Sequence, residues 1–189
     1  KTDFSAQISA AKNAGADLVF LPIYYQQASL ILTQCKSANY NPTFFGCDGL
    51  DGLLSIKNFD TSLCEGVMFL TPFAADAQDQ ATQDFVKKYK GAYEGETPNQ
   101  FAADAYDGVM VLAELMKKEG ITADMSASDI CDKLKKAISD KDFSYDGLTG
   151  TGMKWGEDGA VSKDPKAVII KNGAYSALTA DDIAASTAQ

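Results

Sequence analysis

Two apolar runs in this chain each end in residues able to meet a small charged molecule. Leu18-Val19-Phe20-Leu21 is followed by Pro22, Ile23 and the aromatic pair Tyr24-Tyr25. Thr43-Phe44-Phe45 is followed by Gly46-Cys47-Asp48-Gly49. A carboxylate such as Asp48 pairs well with an ammonium group, and a tyrosine ring makes an amphipathic wall. The first run has the pattern of a strand covered on both faces. Between the runs, Ala28, Ile31, Leu32 and Cys35 fall at helical spacing. A strand–helix–strand unit of this kind brings Tyr24, Tyr25 and Asp48 to one edge of a parallel sheet, the edge at which open α/β sheets bind ligands. The same residues also occur as plain loop residues, and Asp48-Gly49 is an ordinary turn dipeptide; periodicity does not separate the two readings. Asp51 reads as a cap for the short helix that follows.

Other chemistries are poorly supplied. The 189 residues contain no histidine, which removes the usual general base, a common zinc ligand and the Ser-His and Cys-His pairs. Cys35, Cys47, Cys64 and Cys131 form no CxxC pair, so neither a zinc site nor a thioredoxin-like site is expected. Their even number permits disulfides, while Cys35 and Cys131 read as core thiols on apolar helix faces. The glycines of Gly147-Leu148-Thr149-Gly150-Thr151-Gly152 lack the lysine and the strand–helix setting of a phosphate loop. No pair of carboxylates stands out as an acid–base couple. No catalytic residue, metal or cofactor is therefore expected. The net charge of -9 argues against nucleic acid and against an anionic membrane surface. No apolar run approaches the roughly 20 residues of a membrane span, and none reads as a signal peptide.

The elements that would position the site come from the rest of the pattern. A helix is expected over residues 4–14, capped by Asp3 and stopped at Gly15. A short helix is expected over residues 50–57, and Val67-Met68-Phe69-Leu70 is a third buried strand. This alternation predicts an α/β fold, a parallel sheet flanked by helices on both faces. The pattern changes at Thr71-Pro72-Phe73. Helices are then expected over residues 77–93, with Phe85, Val86, Tyr89 and Tyr93 inward, and after Thr97-Pro98, with Thr97 as cap. The second carries the stripe Phe101, Ala105, Val109, Leu112 and Met116, and a third begins near Ser128 with Ile130, Leu134, Ala137 and Ile138 buried. From Phe143 strands return: Met153-Lys154-Trp155, then Ala167-Val168-Ile169-Ile170, then a type I′ hairpin at Lys171-Asn172-Gly173-Ala174. Trp155 and Met116 read as core. The tail, residues 179–189, reads as about one helical turn with a frayed end.

The order and spacing of several segments resemble the C-terminal half of type I periplasmic substrate-binding proteins of the branched-chain amino-acid (Leu/Ile/Val) ABC importer class. These segments are DFSAQISAAKNAGADLVFLPIYYQQA, GCDGLDG, CEGVMFLTPF, FVKKYKGAYEGETPNQFAADAYDGV, MKWGEDG and KAVIIKNGAY. Each is weak alone; together they run almost the full length. The resemblance implies a two-lobed protein of which this chain is about half. Residues 1–71 would belong to the second lobe, 72–142 would be a helical segment of the first lobe, and 143–189 would return to the second. It implies no catalysis, an amino acid or related small amide as ligand, a membrane permease as partner, and a periplasmic or extracellular location with an upstream signal peptide or lipid anchor. Asp48 would take the ligand ammonium, Tyr24 would lean over the ligand beside Tyr25, and Phe101 would face the cleft or simply belong to its helix's apolar stripe. Related chains often have glycine where this one has Ile23. A sensory ligand-binding domain is a second reading within the fold. A small α/β hydrolase is a third, opposed by the lack of histidine and of a Gly-x-Ser-x-Gly elbow. The uncovered helix stripe implies that the chain alone would self-associate.

Overall fold

A computed structural model describes residues 2–187, and their contacts divide the chain into two compact units. The first comprises residues 2–78 and 165–187; the second is Asp79–Asp164.

The first unit begins with helix α1 (Ser5–Asn13), strand β1 (Leu18–Leu21), helix α2 (Tyr25–Ser37) and strand β2 (Thr43–Gly46). Two 3₁₀ turns, Asp48–Leu50 and Leu53–Ser55, replace the short helix expected over residues 50–57, and a third, Thr61–Cys64, leads to β3 (Met68–Thr71). After the second unit come β4 (Lys166–Lys171) and β5 (Ala174–Ala177). The five strands lie in chain order, β1, β2 and β3 parallel and β4 and β5 antiparallel. The sheet is therefore mixed, with the three apolar runs forming its parallel part. The hairpin turns where the Asn-Gly pair predicts: Asn172 and Gly173 have φ of 52° and 71°, the left-handed pair of a type I′ turn.

One face of this sheet carries the core. Leu21, Phe44, Phe69, Val168 and Ile170 pack with Ile8 of α1 and Ala28, Ile31, Leu32 and Cys35 of α2. Each large apolar side chain so buried contributes about 1.5–3 kcal/mol. Side-chain bonds hold the two helices together: Gln34 accepts from the Phe4 N–H at 2.8 Å, and Lys12 Nζ donates to the Ala38 carbonyl at 2.7 Å. The other face is covered less fully. Met68 and Ile169 are buried there, but Leu18, Phe20 and Leu70 are exposed. The helix reaching it among the described residues is α6 (Ala180–Thr187), where Thr43 Oγ1 donates to the Ser186 carbonyl at 3.3 Å. This helix is longer than the single turn expected because Thr179 and Asp182 cap it reciprocally, and Lys171 pairs with Asp182.

The second unit contains α3 (Gln80–Ala92), α4 (Gln100–Lys118) and α5 (Ala127–Ile138). Asn99, not Thr97, caps α4: its side-chain oxygen accepts from the Ala102 N–H at 3.2 Å. Phe85 of α3 lies against Tyr106 of α4, ring centroids 5.2 Å apart, while Tyr93, expected inward, is exposed. The buried face of α4 is Gln100, Ala103, Asp107, Val111 and Leu115. The stripe read from the sequence is the outer one. Phe101, Val109, Leu112 and Met116 are all exposed, so Met116 is not core, and neither is Cys131. All four cysteines are free thiols.

The two units divide after residue 78 and before residue 165. The first unit runs on to residue 78, and residues 143–164 stay with the helices. The reason is packing: Phe143 stacks on Trp155 at 6.0 Å between centroids and joins Val111, Leu115 and Ala137 in the second core. Met153 and Trp155 form single bridges, to Tyr145 and Val161, in place of a regular strand.

Candidate functional site

The site is built where β1 and β2 end. Leu21 is in register with Gly46, so the two following loops leave the sheet at the same level. The first loop turns at Pro22 and enters α2 through Tyr24, whose extended backbone (φ -85°, ψ 157°) forms the helix N-cap and whose carbonyl accepts from the Ala28 N–H. Tyr24 is 61% exposed. Tyr25, the first residue of α2, is half-buried against the first core. The second loop opens with Asp48, also exposed, in a 3₁₀ turn closed by the Asp51 N–H on the Asp48 carbonyl at 3.0 Å.

Two glycines let these loops touch. A Cβ built on Gly49 would stand 2.5 Å from the Ile23 carbonyl oxygen and 3.4 Å from the Tyr24 Cα. No side chain fits at that backbone-to-backbone approach. Gly52, at φ +115°, lies under the Tyr25 ring, which a Cβ there would meet at 3.1 Å. The residue at position 23 thus takes part through its carbonyl, which an isoleucine supplies as well as a glycine. The structure gathers Tyr24, Tyr25 and Asp48 on one edge of one unit. Phe101 belongs to the other unit, on the first turn of α4, and is 36% exposed.

Two features of importance, Tyr175 and Asp107, have no clear signal in the sequence, and a third, Asp51, differs from its expected role. Tyr175, on β5, accepts from the Gly52 N–H at 3.1 Å and the Leu54 N–H at 3.3 Å through its phenolic oxygen. Burial, with Asp51 nearby, pushes its pKa up to about 12. Asp51 itself is buried, 5% exposed, and is not the cap of a continuing helix. In the second unit Asp107, 4% exposed, accepts from the Leu148 N–H, the Thr149 N–H and the Thr149 hydroxyl at 2.8–2.9 Å. The only hint was its spacing of four from Ala103 and Val111 on a helix face.

Other places in the molecule offer less. A cleft of about 290 Å³ in the second unit is lined by Val111, Leu112, Trp155 and Val161. Its charged groups are engaged with each other and with the chain: Lys163 with Asp104 at 2.8 Å, and Asp107 with the 148–149 backbone. The buried thiols suit packing more than nucleophilic chemistry: burial raises the pKa of Cys35 and pushes that of Cys64 up to about 12. No group of side chains suited to hold a metal occurs among the described residues.

Residues 1–174 match a family described as periplasmic binding protein. Over 118 residues the chain is 30% identical to the leucine-, isoleucine-, valine-, threonine- and alanine-binding protein of Pseudomonas aeruginosa, covering 62% of this chain and 31% of that one. A leucine-binding protein, LivK, from Thermotoga maritima is similar in structure, with a TM-score of 0.74 at 26% identity, over 96% of this chain and 50% of that chain. The branched-chain amino-acid substrate-binding protein LivJ of Streptococcus pneumoniae, solved with isoleucine, shares the fold with a TM-score of 0.75 at 24% identity, over 94% of this chain and 48% of that one. The chain thus spans about half the length of these solved relatives and about a third of the curated one. With the sheet, its loop pair and a family match across most of its length, the chain belongs to the periplasmic binding protein family.

Proposed function

We propose that this chain is part of the extracytoplasmic solute-binding component of an ABC importer, and that the complete protein binds a small amino acid of branched-chain type between two lobes. The observation that carries the reading is the exposed Asp48 beside Tyr24, on loops that touch at the C-terminal ends of two parallel strands. Asp48 receives the ligand ammonium, Tyr24 lies over the ligand with Tyr25 bracing the loop, and Phe101 contributes from the helical segment. Residues 2–78 and 165–187 would be one lobe, and the helical unit Asp79–Asp164 part of the other. The protein carries out no reaction; it works outside the cytoplasm, with or without a lipid anchor, and passes its ligand to a membrane permease. Similarity to amino-acid-binding proteins supports the ligand class.

A charge-assisted hydrogen bond contributes about 1.5–3 kcal/mol, against the roughly 8 kcal/mol of a micromolar site. The chain alone would therefore bind amino acids weakly, and would associate through its uncovered apolar surfaces. Calorimetric titration of the full-length protein with leucine, isoleucine, valine and their amides tests the reading. Saturable binding without turnover is expected. Absence of binding across the set, or saturable hydrolysis of the amides, would overturn it.

A further inference from the structure

We infer that the Tyr175 hydroxyl is the positioning group of the binding edge: it fixes the turn that carries Asp48, and so sets how tightly an amino-acid ammonium is held. This rests on the proposed role of Asp48 and adds to it a residue distant in sequence.

Between β2 and Ser55 the chain makes two 3₁₀ turns rather than a helix, so few of its N–H groups find partners within it. The Leu50 N–H reaches the Cys47 carbonyl, the Asp51 N–H reaches Asp48, and the Ser55 N–H reaches Gly52. The Gly52 and Leu54 N–H groups both point instead to the one oxygen of Tyr175. Gly52 is buried, so water does not readily replace that partner. The ring that carries the oxygen is itself fixed. It sits in β5, whose Tyr175 is in register with Ile170, and it meets Phe69 edge-on at 5.7 Å between centroids. The hydroxyl is thus a rigid peg from the sheet into the middle of the loop. Asp48 lies between this peg and the end of β2, and its neighbour Gly49 is pressed on the Ile23 carbonyl. Gly52 in turn lies under the ring of Tyr25. Leu50 and Leu53, buried in the core on either side of Gly52, hold the turn as a whole, and loss of the peg loosens the segment between them by leaving the Gly52 and Leu54 N–H groups without that partner. The phenol stays protonated throughout the neutral range, because its pKa is pushed up to about 12 by burial and by Asp51, so its role as acceptor does not vary with ordinary pH.

A double-mutant cycle in the full-length protein separates positioning from general stability. Leucine affinity is measured by calorimetry for the parent, Tyr175→Phe, Asp48→Ala and the double variant, with thermal unfolding of each as a check on folding. Phenylalanine keeps the ring on Phe69 and removes only the oxygen. We expect Tyr175→Phe to weaken leucine binding about tenfold, the scale of one or two lost hydrogen bonds, and to have almost no effect once Asp48 is alanine. Losses that multiply in the double variant would show that Tyr175 acts on the lobe as a whole, and an unchanged affinity in Tyr175→Phe would show that it does not act on the site; either overturns the inference while leaving Asp48 in place. No loss in Asp48→Ala alone would remove the underlying reading, and the inference with it. If Tyr175→Phe does not fold, 4-fluorophenylalanine at position 175, which nearly keeps the side chain's shape and puts a very weak acceptor in place of the hydroxyl, replaces it in the same cycle and is read the same way.

Discussion

At the residue scale the proposed binding edge depends on what is missing as much as on what is present. Gly49 has no side chain, and none fits: its Cβ would stand 2.5 Å from a main-chain oxygen that cannot turn away. Gly49→Ala is expected to part the two loops, cost about 1–3 kcal/mol of stability and weaken leucine binding in the full-length protein. Gly91→Ala, in α3 with open space around the new methyl group, should be neutral or slightly stabilising. Denaturant unfolding of both variants, read with leucine titrations, checks this; equal behaviour would mean the loops can part freely. The place of Tyr24, Tyr25 and Asp48 after β1 and β2 is legible in the sequence because they follow apolar runs whose strand character is plain. The carbonyl of Ile23 and the hydroxyl of Tyr175 are not. A backbone contact has no residue signature, and Tyr175 is more than 120 positions from the amides that it receives.

At the element scale, strands were easier to place than helix faces. The strands β1, β2 and β3 are short and each centres on large apolar residues, and the β4–β5 hairpin is announced by Asn172-Gly173. That the hairpin strand β4 lies antiparallel to β3 was not legible, since it depends on a pairing across the whole helical unit. Helix α4 was read inside out. Its most apolar stripe is exposed, and its buried face includes Gln100 and Asp107, polar residues that mask the pattern. Asp107 is accommodated because three donors from residues 148 and 149 meet its carboxylate. The cap of α4 was misplaced by two residues because Thr97-Pro98 imitates a helix start, whereas Pro98 lies before the helix. Asn99→Ala should therefore cost about 1 kcal/mol, and Thr97→Ala, at an exposed position, next to nothing. Chemical denaturation of the two single variants distinguishes them; a larger loss at Thr97 would contradict the capping bond.

At the scale of the whole molecule, apolar surface is left open on both units. Leu18, Phe20 and Leu70 on one, and Phe101, Val109, Leu112 and Met116 on the other, are each at least 36% exposed. Surfaces of this kind mark interaction sites or aggregation liabilities. The 189-residue chain alone is expected to self-associate, and Val109→Glu with Leu112→Lys to reduce that association. Sedimentation of the two proteins checks it; a monodisperse parent monomer would count against the expectation. The central claim, however, is that the sheet edge holds an ammonium group through Asp48. Its most direct test is calorimetry of leucine on the full-length protein and on Asp48→Ala. The account predicts that the parent binds tightly and that the variant loses affinity by at least about thirtyfold, because a charged group would remain unpaired in a closed cleft. Equal affinities would contradict it and leave Asp48 a turn residue.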